Sequence, residues 1–349
     1  MKKKLILTFQ IAAVFIGTIV GAGLASGQEI SQFFTIYGPK SFIGIIICCF
    51  IYIIVGTMII NVSIKYNLKS YTSIINLVSP NFLGQATYFV TAFFFICSSA
   101  IILAGSGSLI NQYFKISKWF GILSMLALSI IVLLRNTKGL IGINSFIVPS
   151  LIIIISTVFI LYIKFGISSS NCIAIQCIKG YKKNWLMSAL IYGAFNIFCC
   201  SGVLVPLSSE INRKSVLKVG LILGAIGLTI LSMMLNFMLL LNIPYIFKYD
   251  IPLMYIAERF SNILQILLLI IIWFEMFSTE ISDVYSIAKT SEEKFKISYK
   301  NSVFIILGAA LPISQIGFVK LIKFIYPAFA IVSFIFIIQF LLFYIKNMY

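Results

Sequence analysis

The sequence predicts an all-α integral membrane protein of about ten transmembrane helices, and three observations lead there. Hydrophobic residues make up 61% of the 349 positions and charged ones 10%, a balance foreign to soluble globular domains. Apolar runs long enough to cross a hydrocarbon core about 30 Å thick recur along the chain, separated by short stretches carrying Lys, Asn and Pro. Lipid cannot satisfy the open edge of a sheet, so these runs are helices.

The first run covers 5–36, and its middle reads GAGLASGQEI. Gly17 with Gly21, and Gly23 with Gly27, are four apart, a spacing that lets helices approach closely. Packing leaves Gln28 and Glu29 unexplained, because a charge at membrane depth costs ~2.5–3.5 kcal/mol unless it meets a polar cavity or a partner. The run is also 32 residues long where ~20 would span. Two half-helices joined by an unwound, glycine-rich crossing satisfy both observations. Carbonyls ending the first half would attract cations, and N–H groups opening the second would attract anions. Gly21, Gly23, Ala25, Ser26, Gln28 and Glu29 are therefore candidate binding residues.

Runs at 41–64, 84–112, 118–135 and 140–164 follow. In the third run Ser98, Ser99, Gly105 and Gly107 suit close packing near the break, with a hydroxyl turned to a cavity as a second role. The sixth run, 185–210, contains SALIYGAFNIFCCSGVLVPLSSEI, and Pro206 predicts a second break between Cys200 and Pro206. Tyr192, Phe195 and Asn196 precede that break and could wall a small pocket, and Gly202 and Glu210 join the candidates. A shift of 181 residues sets Gly21 over Gly202, Glu29 over Glu210 and Ile30 over Ile211. It divides one membrane domain, 1–349, into repeated halves of about 5–164 and 185–345.

The remaining runs lie at 215–243, 262–288, 300–316 and 321–345. The eighth reads LLLIIIWFEMFSTEISDVYSIAKT, where helical spacing aligns Glu275, Thr279, Ser282 and Ser286, with Ser278 and Asp283 beside them. Carboxylates inside a membrane are cation ligands or proton carriers by default, which nominates Glu29, Glu210 and Glu275. Glu280 and Asp283 either share that role or sit at the wet end of their helix.

The net charge of +17 is spread through almost every loop and forms no basic face, so lipid headgroups and not nucleic acid are the expected partner. Fifteen of the 26 Lys and Arg residues fall on the side of MKKK, which predicts cytoplasmic termini and a retained first helix. The seven cysteines show no metal pattern; Cys172 and Cys177 could pair if their polar loop faces outward. Without any His, a phosphate loop, or a nucleophile beside a base, the chain is not expected to be an enzyme.

The order of spans, the interrupted first run and GTIVGAGLASGQEISQFF resemble the YkvI-like bacterial membrane proteins. More broadly they resemble the LeuT-type inverted-repeat fold of the amino acid–polyamine–organocation superfamily. The resemblance implies interrupted helices 1 and 6, a bacterial cytoplasmic membrane, and alternating-access transport of a small organic solute driven by sodium or protons. It implies a sodium site made by Ser278, Thr279 and the carbonyls near Val20, Gly21 and Gly23, with no other cofactor. Amino acid carriers of this fold hold a substrate carboxylate on the N–H groups of the first break, which a negative Glu29 would oppose. Glu29 is then either neutral or paired with a cation or a substrate ammonium. The alternative is a sensor on the same fold, as in spore germinant receptors, binding a ligand without moving it. Solute identity and oligomeric state are left open.

Overall fold

A computed structural model describes residues 2–68, 70–135, 140–166 and 180–348, and nearly all of that backbone is helical. Helix α1 (Lys2–Ile19) stops in mid-span. A single turn, α2 (Ala22–Ala25), then α3 (Gln28–Phe33) and a 3-10 stretch (Thr35–Lys40) carry the chain into α4 (Ser41–Lys65). The first half continues with α5 (Tyr71–Val78), α6 (Phe82–Phe114), α7 (Lys118–Arg135) and α8 (Leu140–Leu161). The second half holds α9 (Trp185–Ile211), α10 (Lys214–Leu240), the short α11 (Pro252–Ala257), α12 (Asn262–Phe295), α13 (Tyr299–Ser314) and α14 (Phe318–Met348). Among the described residues seven helices are long and apolar enough to cross a membrane, and Lys4–Ile19, Lys118–Leu134 and Tyr299–Ser314 are shorter apolar helices. Cys172 and Cys177, with the pairing expected of them, lie outside the described residues, as do Lys69 and Lys138.

Helix ends follow local chemistry. Ser70, Ser261 and Ser298 cap α5, α12 and α13 by accepting the N–H of Ser73, Ile263 and Asn301 on their hydroxyls. Lys115, Asn212 and Lys296 end α6, α9 and α12 with φ of 58°, 48° and 55°, the left-handed turn that closes a helix. The caps at Lys115 and Lys296 sit in the same tetrapeptide, Phe-Lys-Ile-Ser, at 114–117 and again at 295–298.

Helices α1, α4, α9 and α10 pack as one group, α6, α7, α12 and α13 as another, and α8 and α14 touch both. Lipid offers apolar side chains no reason to leave it, so close approach of backbones does much of the holding. Gly220 and Gly224 let α10 lie on α1: a Cβ at Gly220 would stand 2.7 Å from the Ile11 Cβ, and one at Gly224 2.9 Å from the Phe15 ring. Gly17 admits α8, since its Cβ would meet Val148 at 2.7 Å. Gly105 and Gly107 make room for Phe318 and for Ile122 of α7, so their packing serves α14 and α7 and not the break.

The first run is interrupted as expected, and the sixth is not. Helix α9 runs unbroken through Cys200, Gly202 and Pro206 to Ile211. Proline there removes one N–H within two turns of the helix end. The Ser208 and Ser209 hydroxyls donate to the carbonyls of Leu204 and Pro206 at 2.6 and 2.9 Å, back-bonding to the preceding turn around the proline.

Candidate functional site

The interruption of the first run is built by two glycines. Gly21 is extended (φ −94°, ψ −169°), and its N–H turns to the Ile19 carbonyl at 2.9 Å, so the Gly17 carbonyl loses the donor a continuing helix would bring. Gly27 takes φ +82°, a conformation costly for side chains with a Cβ, and opens α3. Between them Ser26 donates to the Gly23 carbonyl at 2.9 Å.

A cavity of about 180 Å³ adjoins this crossing. From the first segment it is lined by Gly17, Thr18, Ile19, Gly21 and Glu29. Helix α12 contributes Ser278, Thr279, Ser282, Asp283 and Ser286, one continuous helical stripe. Phe195, Asn196, Cys199 and Gly202 come from α9, Phe94, Phe95 and Ser98 from α6, and Tyr326 from α14.

Glu29, only 3% exposed, is held by an aromatic hydroxyl. Tyr192 donates to its Oε2 at 2.8 Å, and Tyr326 lines the cavity with it. Gly23 yields the space: a Cβ there would collide with the Glu29 carboxyl. Tyr192 is fixed in turn by Phe33 and Phe34, with ring centroids at 4.9 and 5.0 Å. Asn196 donates to the Tyr192 carbonyl at 3.2 Å and to the Tyr52 hydroxyl at 3.3 Å.

The α12 stripe is chemically distinct. Thr279 donates to the Glu275 carbonyl at 3.0 Å, Ser282 to that of Ser278 at 2.9 Å, and Ser286 to that of Ser282 at 2.7 Å. Hydroxyls that spend their proton on the preceding turn keep lone pairs for something else, and hard cations take such oxygens. Asp283 lies one turn beyond Thr279 on the same face, hydrogen-bonded by Ser98.

The sequence candidates separate into groups. Gly21, Glu29, Asn196, Gly202, Ser278 and Thr279 line the cavity, and Tyr192 stands behind Glu29. Val20, Gly23, Ala25, Ser26 and Gln28 are buried in the crossing without lining it. Glu210 is exposed near the end of α9, away from the cavity. Glu275 is 1% exposed, outside the cavity lining, and its Oε2 has no hydrogen-bond partner among the described residues. Glu280 is buried against Ser99, whose hydroxyl donates to its Oε1 at 2.6 Å, so it does not sit at a wet helix end. Phe94, Tyr326 and the Gly17 carbonyl were not among the candidates.

The cavity is not sealed from the surface. Its lining descends to Ser282, which is exposed, and Ser286, toward the end of α12 on the side of both termini. On the opposite side α11 covers the crossing: Leu253 N–H donates to the Ser26 carbonyl at 3.1 Å. Gln112 clamps Ile251 through two bonds, of 2.9 and 3.0 Å, and Lys118 pairs with Asp250 at 3.0 Å.

No protein-family model matches the chain. The membrane protein YkvI of Bacillus subtilis is 33% identical to it, over 94% of this chain and 93% of its own. YyaD of the same organism is 22% identical over 92% of each chain. Among solved structures, MhsT in complex with L-phenylalanine superposes with a TM-score of 0.67 and 16% identity, covering 95% of this chain and 87% of its own. The inward-facing conformation of Mhp1, a nucleobase-cation-symport-1 family transporter, gives 0.65 at 12% identity, covering 93% and 73%. The manganese transporter of Eremococcus coleocola gives 0.60 at 15% identity, covering 96% and 76%. These neighbours share the LeuT-type arrangement, which is the fold of this chain.

Proposed function

This chain belongs to the family of the Bacillus subtilis membrane protein YkvI, and on that footing we propose that it is a secondary transporter. It moves a small organic solute, an amino acid or an amine-like molecule, across the bacterial cytoplasmic membrane by alternating access. One observation carries the reading: an interrupted first helix, a buried carboxylate and a hydroxyl stripe from α12 meet at one cavity. Its volume of about 180 Å³ falls below the ~300–1,000 Å³ of pockets for drug-sized ligands, in keeping with a small solute. The opening lies on the side of the termini while α11 seals the other, as an inward-facing state requires when the termini are cytoplasmic.

Roles divide by chemistry. Glu29, Asn196 and the aromatic wall take the solute. The Ser278 and Thr279 oxygens, with the free carbonyls ending α1, take a sodium ion, or the carboxylates carry a proton in its place. Two five-helix halves, about 5–164 and 185–345, supply the moving parts, and the recurrence of the α6 cap at the end of α12 supports that division. The break belongs to the first half alone, so α9 contributes a continuous wall.

Reconstitution into liposomes tests this. Uptake of labelled amines and amino acids should saturate and should collapse when both the sodium and the proton gradients are removed. Ligand binding with no flux under any gradient would replace the transporter reading by a sensor.

A further inference from the structure

Within the transporter reading just given, we infer that the solute is an organic cation: a primary or secondary amine with a compact apolar body and no free carboxylate. The cavity has two acids in its lining, Glu29 and Asp283, and no Lys or Arg among its described lining residues. A carboxylate entering it would meet no cation of the protein. Glu29 also occupies the first turn of α3, where the N–H groups that could have received an anion begin.

The walls suit the other charge. Phe94, Phe195 and Tyr326 come from three different helices and converge beside Glu29. Their ring centroids stand 5.5, 5.0 and 6.1 Å apart: Phe94 to Phe195, Phe195 to Tyr326, and Phe94 to Tyr326. Aromatic faces attract an ammonium within about 6 Å of a ring centre, and more strongly where water is excluded. The Tyr192 hydroxyl already bonds the Glu29 carboxyl and fixes its direction, so the ammonium finds an oriented partner. Asp283, one turn beyond Thr279, lines the same cavity and is the second acid an ammonium can approach. An apolar body fits against the three rings, and the limited volume excludes long polyamines.

A matched set of probes decides it: 2-phenylethylamine, L-phenylalanine, 3-phenylpropionate and 2-phenylethanol, with further amines from ethylamine to tyramine. Each is added to the purified full-length protein in detergent and the melting temperature is read, because a ligand of the folded state raises it. Amines should raise it, the propionate and the alcohol should not, and phenylalanine should act far more weakly than phenylethylamine. Glu29→Gln should weaken amine binding on the order of thirtyfold, Glu29→Asp should retain part of it, and Phe195→Leu should weaken it while leaving the carboxylate in place. Elution of each variant at the parent position confirms folding.

The inference is overturned if the propionate or phenylalanine binds as well as the amine, if Glu29→Gln binds amines like the parent, or if no amine in the set shifts the melt. Flux of a carboxylate solute with no amine binding would remove this inference and leave the transporter. Amine binding without flux of any solute would do the reverse.

Discussion

Gly23 and Glu29 share one small volume. A methyl group on Gly23 would overlap the Glu29 carboxyl, whose position is already fixed by Tyr192. Gly23→Ala should therefore destabilise the protein by about 1–3 kcal/mol, the usual cost of overpacking. Glu29→Ala should relieve it, so that the double variant melts higher than the sum of the single effects predicts; strict additivity in thermal unfolding would refute the contact. A second expectation concerns the cation. Ser278→Ala with Thr279→Ala removes two candidate oxygens while the helix keeps its backbone bonds. Sodium dependence of uptake should vanish with the apparent solute affinity in sodium-free buffer unchanged, and intact sodium stimulation in flux assays would remove the site. Glu29 could be found from sequence because a carboxylate in lipid demands a reason. Phe94 and Tyr326 could not, because they are two among the 32 Phe and 17 Tyr residues of a chain whose aromatic side chains mostly pack or face lipid.

At the scale of elements, the two suspected breaks had different origins. The first rested on glycines that take an extended and a left-handed conformation, Gly21 and Gly27, and on excess length, which together leave a continuous helix no room. The second rested on Pro206, and a proline close to a helix end leaves few helical bonds beyond it to lose, so the helix continues through it. Pro206→Ala should then shift stability by less than about 1 kcal/mol and leave uptake near the parent's; loss of flux in that variant would argue for an opened segment there. The cover formed by α11 was invisible in sequence, since its bonds use the backbone of Ile251 and Leu253. Gln112→Ala deletes both side-chain bonds to Ile251. Hydrogen exchange across residues 245–257 should quicken about tenfold, as expected for about 1–2 kcal/mol of lost local stability, while α6 itself stays protected.

At the scale of the whole molecule, the exposure of Ser282 at the cavity lining gives the site a direction to test. The Phe-Lys-Ile-Ser turns at 114–117 and 295–298 end α6 and α12 with nearly the same φ, 58° and 55°, yet one helix runs away from the termini and the other toward them. In the transporter proposed above, halves in an inverted relation would exchange which face is open when one group of helices rocks against the other. The tetrapeptide recurs at the same 181-residue spacing that sets Gly21 over Gly202. In the present state Ser282 is exposed on the side of the termini, and the opposite face is closed by α11. In a variant whose native cysteines are replaced, Ser282→Cys should react with a membrane-impermeant maleimide in inside-out vesicles and resist it in right-side-out ones. Reaction from the outer face alone would invert the topology drawn from the lysines. Reaction from both faces, one population each, would mean that the protein at rest samples both openings. Solute that closes the inner entrance should slow the labelling in either case, and an unchanged rate with saturating solute would separate this cavity from the transport path.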